Sequence, residues 1–406
     1  MLKKAGLDES LPSRFRPVSN FPFPSKVLER IVNRQIVGYL NDFHLFPDVQ
    51  SAYRRGHLTE TALLKVFSDI IDGIADGKIV ILSLLDLTAA FDTVDYDILL
   101  KRLDLTYGLS GTILNWLRTY VEGGTQAVHM CGVISSTRRV TCGVPQRSVL
   151  GPLLFTLYTA DIEAIVRSFG LKHHTYADDN QIYSSCHPPE SASLKVTIIQ
   201  AIDAVDQWMA SNRLMLNPIK SEFLWCSSPR RVHMIDRSAF LLKDGSVDVS
   251  SVVRNLGAFF DVTMSMNDHI NKLIRSCFYH LRRIKSIRRS LPTSTAIQLE
   301  NCFDIARVDY CNSILSGIPK YQQDRIQSVL NAAARLIFGV NRYDHITPLL
   351  KDKLHWLRVP QGIDFKQCLL VYKVLHGLSP GYIADYCVNV SSNNRRSSCD
   401  QLHTSV

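Results

Sequence analysis

The chain has none of the marks of a membrane-bound or secreted protein. Spanning a bilayer takes about 20 consecutive apolar residues. The longest nearly unbroken run here, IVILSLLDL at 79–87, is far shorter, so no transmembrane segment is predicted. The opening MLKKAGLDESLPSRFRP has two lysines but no apolar core behind them, and it does not read as a secretory signal. CxxC pairs are absent although there are ten cysteines, which argues against a zinc site or disulfide framework and for reduced thiols inside a cell. Internal repeats and long low-complexity tracts are also missing.

What is present is ordinary globular composition with a basic excess. Hydrophobic residues make up 46% and charged residues 20% of 406 positions, enough for two or three domains with a sizeable core. The formal charge of +9 is compatible with a polyanionic partner without establishing one. The basic residues cluster in HLRRIKSIRRS at 280–290, where Leu281, Ile284, Ile287 and Leu291 recur at helical spacing. This predicts an amphipathic helix with Arg282, Arg283, Lys285, Arg288 and Arg289 on its outer face, either simply solvated or in contact with phosphates.

Periodicity predicts helices over 27–40 and 59–74, with Ser25 and Thr59 as candidate caps, and a buried strand over 79–87. Helical patterns follow over 95–103 and 111–120, then a hairpin in GGTQAVHMCGVISSTRRVTCGVPQ, then one helix through SVLGPLLFTLYTADIEAIVRSF with Pro152 near its first turn. Further helix is predicted over 193–211, short strands over 229–260, and mostly helix over 266–340 and 342–386. Strands and helices interleave early and helices dominate late, so the expected fold class is α+β followed by a mostly α-helical part.

Asp86 ends the apolar strand, and Asp178-Asp179 occupy a turn between two alternating stretches. Asp tolerates turn geometry, so the pair suits a plain hairpin. Alternatively, adjacent strands bring the three carboxylates together, and divalent cations offset their repulsion. Mg²⁺ takes oxygen ligands and leaves room for substrate phosphates, and two such ions about 3.5–4 Å apart support phosphoryl or nucleotidyl transfer. The residues alone leave a polymerase and a two-metal nuclease equally open.

LLDLTAAFDTVDYDILL, GVPQRSVLGPLLFTLY and YADD at 176–179 resemble, in order and spacing, the palm motifs of reverse transcriptases. FRPVSNFPFPSKVLERIVNRQI and QSAYRRGHLTETALL resemble that family's fingers segments, while LMLNPIKSEFLW and VRNLGAFFDVTMSM resemble the blocks after the catalytic turn. The match is closest to non-LTR (LINE-type) retrotransposon polyproteins and covers nearly the whole chain.

The resemblance implies a right-hand polymerase that copies an RNA template onto a DNA primer from dNTPs, using two Mg²⁺ ions, or Mn²⁺, held by Asp86, Asp178 and Asp179. Phe91 would pack on the sugar of the incoming nucleotide and exclude a 2′-hydroxyl. Arg16 would bind the triphosphate, Gln146 would abut the nascent base pair, and Lys220 would lie near the leaving pyrophosphate. Arg54, Arg282, Arg283 and Lys285 would contact template or backbone phosphates. The implied parts are a fingers-like region over 1–75, truncated at its start, a palm over 76–262, a helical thumb-like region over 263–387 and a disordered tail over 388–406. A nuclear site of action follows from the family's copying into chromosomal DNA.

The chain departs from the family at PQRS, where PQGS is usual. Glycine there lets the backbone pass close to the nucleotide pocket, and Arg147 is expected to require a backbone shape arginine dislikes. Tyr96 and Ala52 replace a usual histidine and glycine. No upstream endonuclease-like region or RNase H-like carboxylate set is recognisable, so the chain reads as a fragment or degraded copy of a larger polyprotein. The alternative that follows is an impaired copy that only binds nucleic acid.

Overall fold

A computed structural model describes residues 2–3, 15–16, 19, 21–130, 132–243 and 245–387, the side chains of 2–3, 15–16 and 130 excepted. The tail predicted to be disordered, 388–406, lies outside the described residues. The chain falls into two compact units. The first comprises Met1–Tyr53, Ile70–Gly257 and Asp261–Met264; the second comprises Arg54–Asp69, Ala258–Phe260 and Ser265–Val406. As expected, the class is α+β with a predominantly helical C-terminal part.

In the first unit, strands β1 (Leu2–Lys3) and β2 (Phe15–Arg16) pair antiparallel ahead of helix α1 (Phe23–Asp42). This helix starts earlier than its apolar pattern predicts, with Pro22 before it and Pro24 in its first turn, where the missing N–H is harmless. Ser25 therefore lies inside the helix and does not cap it. Helix α2 (Thr59–Ala75) likewise begins on Thr59, and the capping oxygen is that of Thr61, which accepts from the Leu58 amide at 3.0 Å.

Strand β3 (Ile79–Leu85) is buried on both faces, as its unbroken apolar run requires. Helices α3 (Tyr96–Leu105), capped by the Asp95 carboxylate at the Ile98 amide (3.1 Å), and α4 (Gly111–Val121) follow. The predicted hairpin is an exposed two-rung arm: β4 (Thr125–Gln126) pairs with β7 (Arg138–Arg139), and β5 (His129–Met130) pairs with β6 (Val133–Ile134).

The single helix expected after it is in fact two, α5 (Gly151–Tyr158) and α6 (Ile162–Ser168). Arg102 of α3 explains the break. Its guanidinium donates to the Tyr158 carbonyl at the end of α5 and pairs with Asp161 at 2.9 Å.

Strands β8 (Lys172–Tyr176) and β9 (Asp179–Cys186) form the hairpin around the acidic pair, and helix α7 (Ser191–Ser211) leads to β10 (Glu222–Cys226). These build one antiparallel sheet in the order β10-β3-β9-β8. Its apolar residues pack with Leu40 of α1, Leu99 of α3, Phe155 of α5, and Ile202 and Met209 of α7 in a continuous core. Of the short strands predicted over 229–260, residues 229–234 are a 3₁₀ turn; the strands are β11 (Phe240–Leu242), β12 (Gly245–Val247), β13 (Val252–Asn255) and β14 (Ala258–Asp261).

The second unit contains α8 (Asn267–Ile287), α9 (Thr293–Glu300), a π turn over Asn301–Ile305, α10 (Ala306–Asp309), α11 (Lys320–Phe338), α12 (Val359–Leu375) and α13 (Gly381–Ala384). Leu281 and Ile284 are buried on α8 as predicted, but Ile287 is 50% exposed. Arg288 is not a free outer-face charge either. It donates to the Leu336 and Ile337 carbonyls (3.1 and 2.6 Å) at the end of α11, where a cation complements the helix dipole.

Candidate active site

Strand register fixes the relationship of the acidic residues. Leu85 of β3 pairs with Asn180 of β9, so the next step along the same register brings Asp86 beside Asp179. Asp86 is held by the chain that follows α7: its carbonyl accepts from the Asn217 amide (2.9 Å), and Leu87 bridges Leu216. Asp178 is second in the two-residue turn closed by Tyr176↔Asp179, and its carbonyl accepts from the Asn180 side chain at 3.0 Å.

The Asp179 side chain is open on one side and crowded on the other. Partial desolvation, followed by the charges of Asp178 and Asp86, pushes its carboxyl up to about 6. Electrostatically Asp179 feels both other carboxylates, so the three act as one cluster of mutually repelling charges. Lys220 sets a positive charge against the cluster, with Nζ 3.0 Å from Asp86 Oδ2. Among the described residues no three His, Cys, Asp or Glu side chains form a ready-made metal cage. The donor set is nevertheless hard oxygen and mutually repulsive, which fits Mg²⁺ or Mn²⁺ and suits no soft metal.

Phe91 and Gln146 lie in two loops packed together. Phe91 sits in a 3₁₀ turn over Ala90–Asp92, half-buried, its ring stacked on Phe155 at 4.5 Å. The Val144 amide donates to the Phe91 carbonyl at 2.7 Å, and a Cβ on Gly143 (φ +89°) would meet the Asp92 carbonyl oxygen at 2.7 Å, so only glycine allows this approach. Gln146 donates from Nε2 to both Asp92 carboxylate oxygens at 3.1 Å. Arg147 has φ +68°, the left-handed backbone anticipated from the missing glycine, and its side chain is exposed.

The remaining site candidates belong to other elements. Arg16 is in β2, and its side chain lies outside the described residues. Arg54, half-buried, and Arg282, Arg283 and Lys285, exposed on α8, belong to the second unit. Arg283 donates to the Tyr279 hydroxyl at 2.9 Å.

Two buried side chains inside the fingers-like segments, to which no role was assigned from the sequence, hold the loops of the site. Glu29 of α1 accepts through Oε2 from the Val149 and Leu150 amides (2.6 and 3.1 Å) at the start of α5. Gln50 accepts through Oε1 from the Ala52 and Ala177 amides (both 2.9 Å) and donates from Nε2 to the Ala177 carbonyl at 3.2 Å. For Glu29 a signal existed: it shares the helix face of Val32, Ile36 and Leu40, where a carboxylate needs a partner.

An antiparallel sheet that gathers carboxylates at the ends of adjacent strands, packed by α-helices, is the arrangement expected of a polymerase palm. The chain belongs to the reverse transcriptase family: the family model for reverse transcriptase (RNA-dependent DNA polymerase) matches residues 2–258. It is similar to the probable RNA-directed DNA polymerase from transposon X-element of Drosophila melanogaster, 26% identical over 359 residues, covering 87% of this chain and 38% of that protein. It is also similar to the corresponding protein from transposon BS of the same species (26%; 87% and 39%) and to that of mobile element jockey of Drosophila funebris (23%; 84% and 37%). The chain spans well under half the length of each of these relatives. Among solved structures it is similar to telomerase from Candida albicans with a fragment of telomeric RNA, at 12% identity and TM-score 0.42, covering 90% of this chain and 59% of that one.

Proposed function

We propose that this chain is the RNA-directed DNA polymerase part of a LINE-type element, extending a DNA primer on an RNA template with dNTPs. The observation that carries the reading is the register that sets Asp86 beside Asp179, with Asp178 in the adjoining turn. Asp86, Asp178 and Asp179 would hold two Mg²⁺ ions, which when bound supply a Lewis-acid field for the attacking and leaving oxygens. In the reaction the primer 3′-hydroxyl attacks the α-phosphorus, a new phosphodiester forms, and pyrophosphate leaves.

The chain's own residues would position the partners, and positioning with electrostatics does most of the work in such transfers. Phe91, braced on Phe155, presents a flat apolar wall against which a 2′-hydroxyl has no room. Gln146, oriented by Asp92, faces the nascent pair; Lys220 exchanges Asp86 for the departing pyrophosphate. Arg16 would steady the triphosphate, and Arg54, Arg282, Arg283 and Lys285 the template and duplex phosphates, as paired charge-assisted contacts. We place the fingers-like part over 1–75, the palm over 76–262 and the thumb-like part over 263–387, with a nuclear site of action. Among the described residues no helix is long and apolar enough to cross a membrane.

The test is primer extension on an RNA template with Mg²⁺, run for the parent chain, Arg147→Gly and Asp178→Asn. Template-dependent extension by either of the first two, lost in Asp178→Asn, is the expected result. Degradation of the substrate without dNTPs, or salt-sensitive hybrid binding with no extension even in Arg147→Gly, overturns it.

A further inference from the structure

We propose that Gln50 is a positioning residue for the carboxylate turn, clamping Ala177 in the left-handed backbone that carries Asp178 and Asp179 to their places. For its kinetic consequence this rests on the polymerase reading; for its structural consequence it does not.

Ala177 is first of the two residues that turn β8 into β9, and its φ is +58°. A hairpin turn of this shape ordinarily takes glycine at that position, because a Cβ disfavours left-handed backbone. Alanine alone would relax toward a right-handed conformation, which rotates the peptide leading into Asp178. The Gln50 amide opposes that rotation at both polar groups of Ala177. Its oxygen takes the amide proton at 2.9 Å and its nitrogen reaches the carbonyl at 3.2 Å.

The clamp is itself rigid. Gln50 is 3% exposed and bridges Thr175 as a parallel neighbour of β8. The Ser51 amide donates to the Thr175 carbonyl, the Thr175 amide to the Val49 carbonyl (both 2.9 Å), and Ser51 Oγ lies 2.9 Å from His174 Nε2. Gln50 also turns its own chain by accepting from the Ala52 amide. A buried amide serving only to fill the core would be satisfied by any nearby partner. This one meets both backbone groups of the single left-handed residue in the catalytic turn.

The experiment uses the full chain, Gln50→Met, which keeps the volume and removes the hydrogen bonds, Ala177→Gly, and the double variant. Three readouts are followed: hydrogen exchange of the Ala177 amide, Mn²⁺ binding by EPR of the free ion, and primer extension split into kcat and KM for a dNTP. Gln50→Met is expected to unprotect the Ala177 amide, to weaken Mn²⁺ binding and to lower kcat ~10-fold with little change in KM, the size expected for one or two buried hydrogen bonds. Ala177→Gly should restore most of the loss, since glycine holds the turn without help.

An Ala177 amide that exchanges freely in the parent overturns the proposal. So does a Gln50→Met defect that Ala177→Gly leaves untouched, which marks a purely structural role. If neither the parent nor Arg147→Gly extends a primer while Ala177 protection and Mn²⁺ binding still depend on Gln50, the polymerase reading fails and the clamp stands.

Discussion

The ammonium of Lys220 lies 3.0 Å from Oδ2 of Asp86, although 134 positions separate the two residues. Their side chains are 66% and 32% exposed, so the pair is screened and contributes at most about 1 kcal/mol. Its importance is competitive, because a divalent cation seeking the Asp86 carboxylate must displace the lysine. Lys220→Met is therefore expected to tighten Mn²⁺ binding about 3-fold while slowing primer extension. EPR titration of both chains decides it; unchanged or weaker binding would mean that the two cations do not compete.

Arg147 supplies the second prediction. A non-glycine residue at φ +68° costs ~1 kcal/mol that glycine does not. Because the side chain is exposed, its loss removes no packing. Arg147→Gly should raise the urea midpoint by the equivalent of about 1 kcal/mol and speed nucleotide incorporation. Equal extension rates in the two chains would refute the second half, and an unshifted midpoint the first.

Glu29 is the third. It is 2% exposed and receives two amides at the start of α5, the segment that follows Arg147. Glu29→Ala leaves the buried Leu150 amide and the half-buried Val149 amide without that acceptor, so a loss of about 2–3 kcal/mol in denaturant unfolding is expected. A loss below ~1 kcal/mol would show that water takes over the carboxylate's place.

The fourth concerns the second unit. Glu300 and Asp304 are fully buried one helical turn apart, and as carboxylates none of their four oxygens has a hydrogen-bond partner. Burial first, then their mutual interaction for Glu300, holds both carboxyls well above the usual carboxylate range. An acid whose folded value is raised stabilises fully below its unfolded value and loses that contribution as pH rises through the folded one. Stability should thus decline from mildly acid toward alkaline pH. Glu300→Gln should flatten the decline and gain about 1–3 kcal/mol at pH 8. A steeper pH dependence in the variant would contradict this.

How much of this was legible depended on whether a partner lay nearby in the chain. The alternating residues around Asp178-Asp179 specified a hairpin, and the β-branched run before Asp86 specified a buried strand. Both formed, because period-two patterning dictates which faces are covered. The break between α5 and α6 was illegible, since the residue that causes it, Arg102, is on α3. The resemblance put Lys220 near the pyrophosphate, but its pairing with Asp86 needed β10 beside β3, and strand order is not written in chain order. Gln50 opens a segment that resembles the family, but its role was hidden for a further reason: it meets backbone groups of Ala177, and these look alike at every position. The basic stretch misled in two places: Ile287 is exposed, and charge pattern gave Arg288 no hint that it stood at another helix's end.

The sheet order also bears on how the molecule comes to exist. Ile79–Leu85 emerges from the ribosome long before either of the strands that flank it. Until those arrive, a water-averse ribbon with two unpaired edges waits in the open, an invitation to stick to its neighbours. Bringing in distant partners is slow, so the central strand that anchors Asp86 is also where newborn chains are most in need of a chaperone.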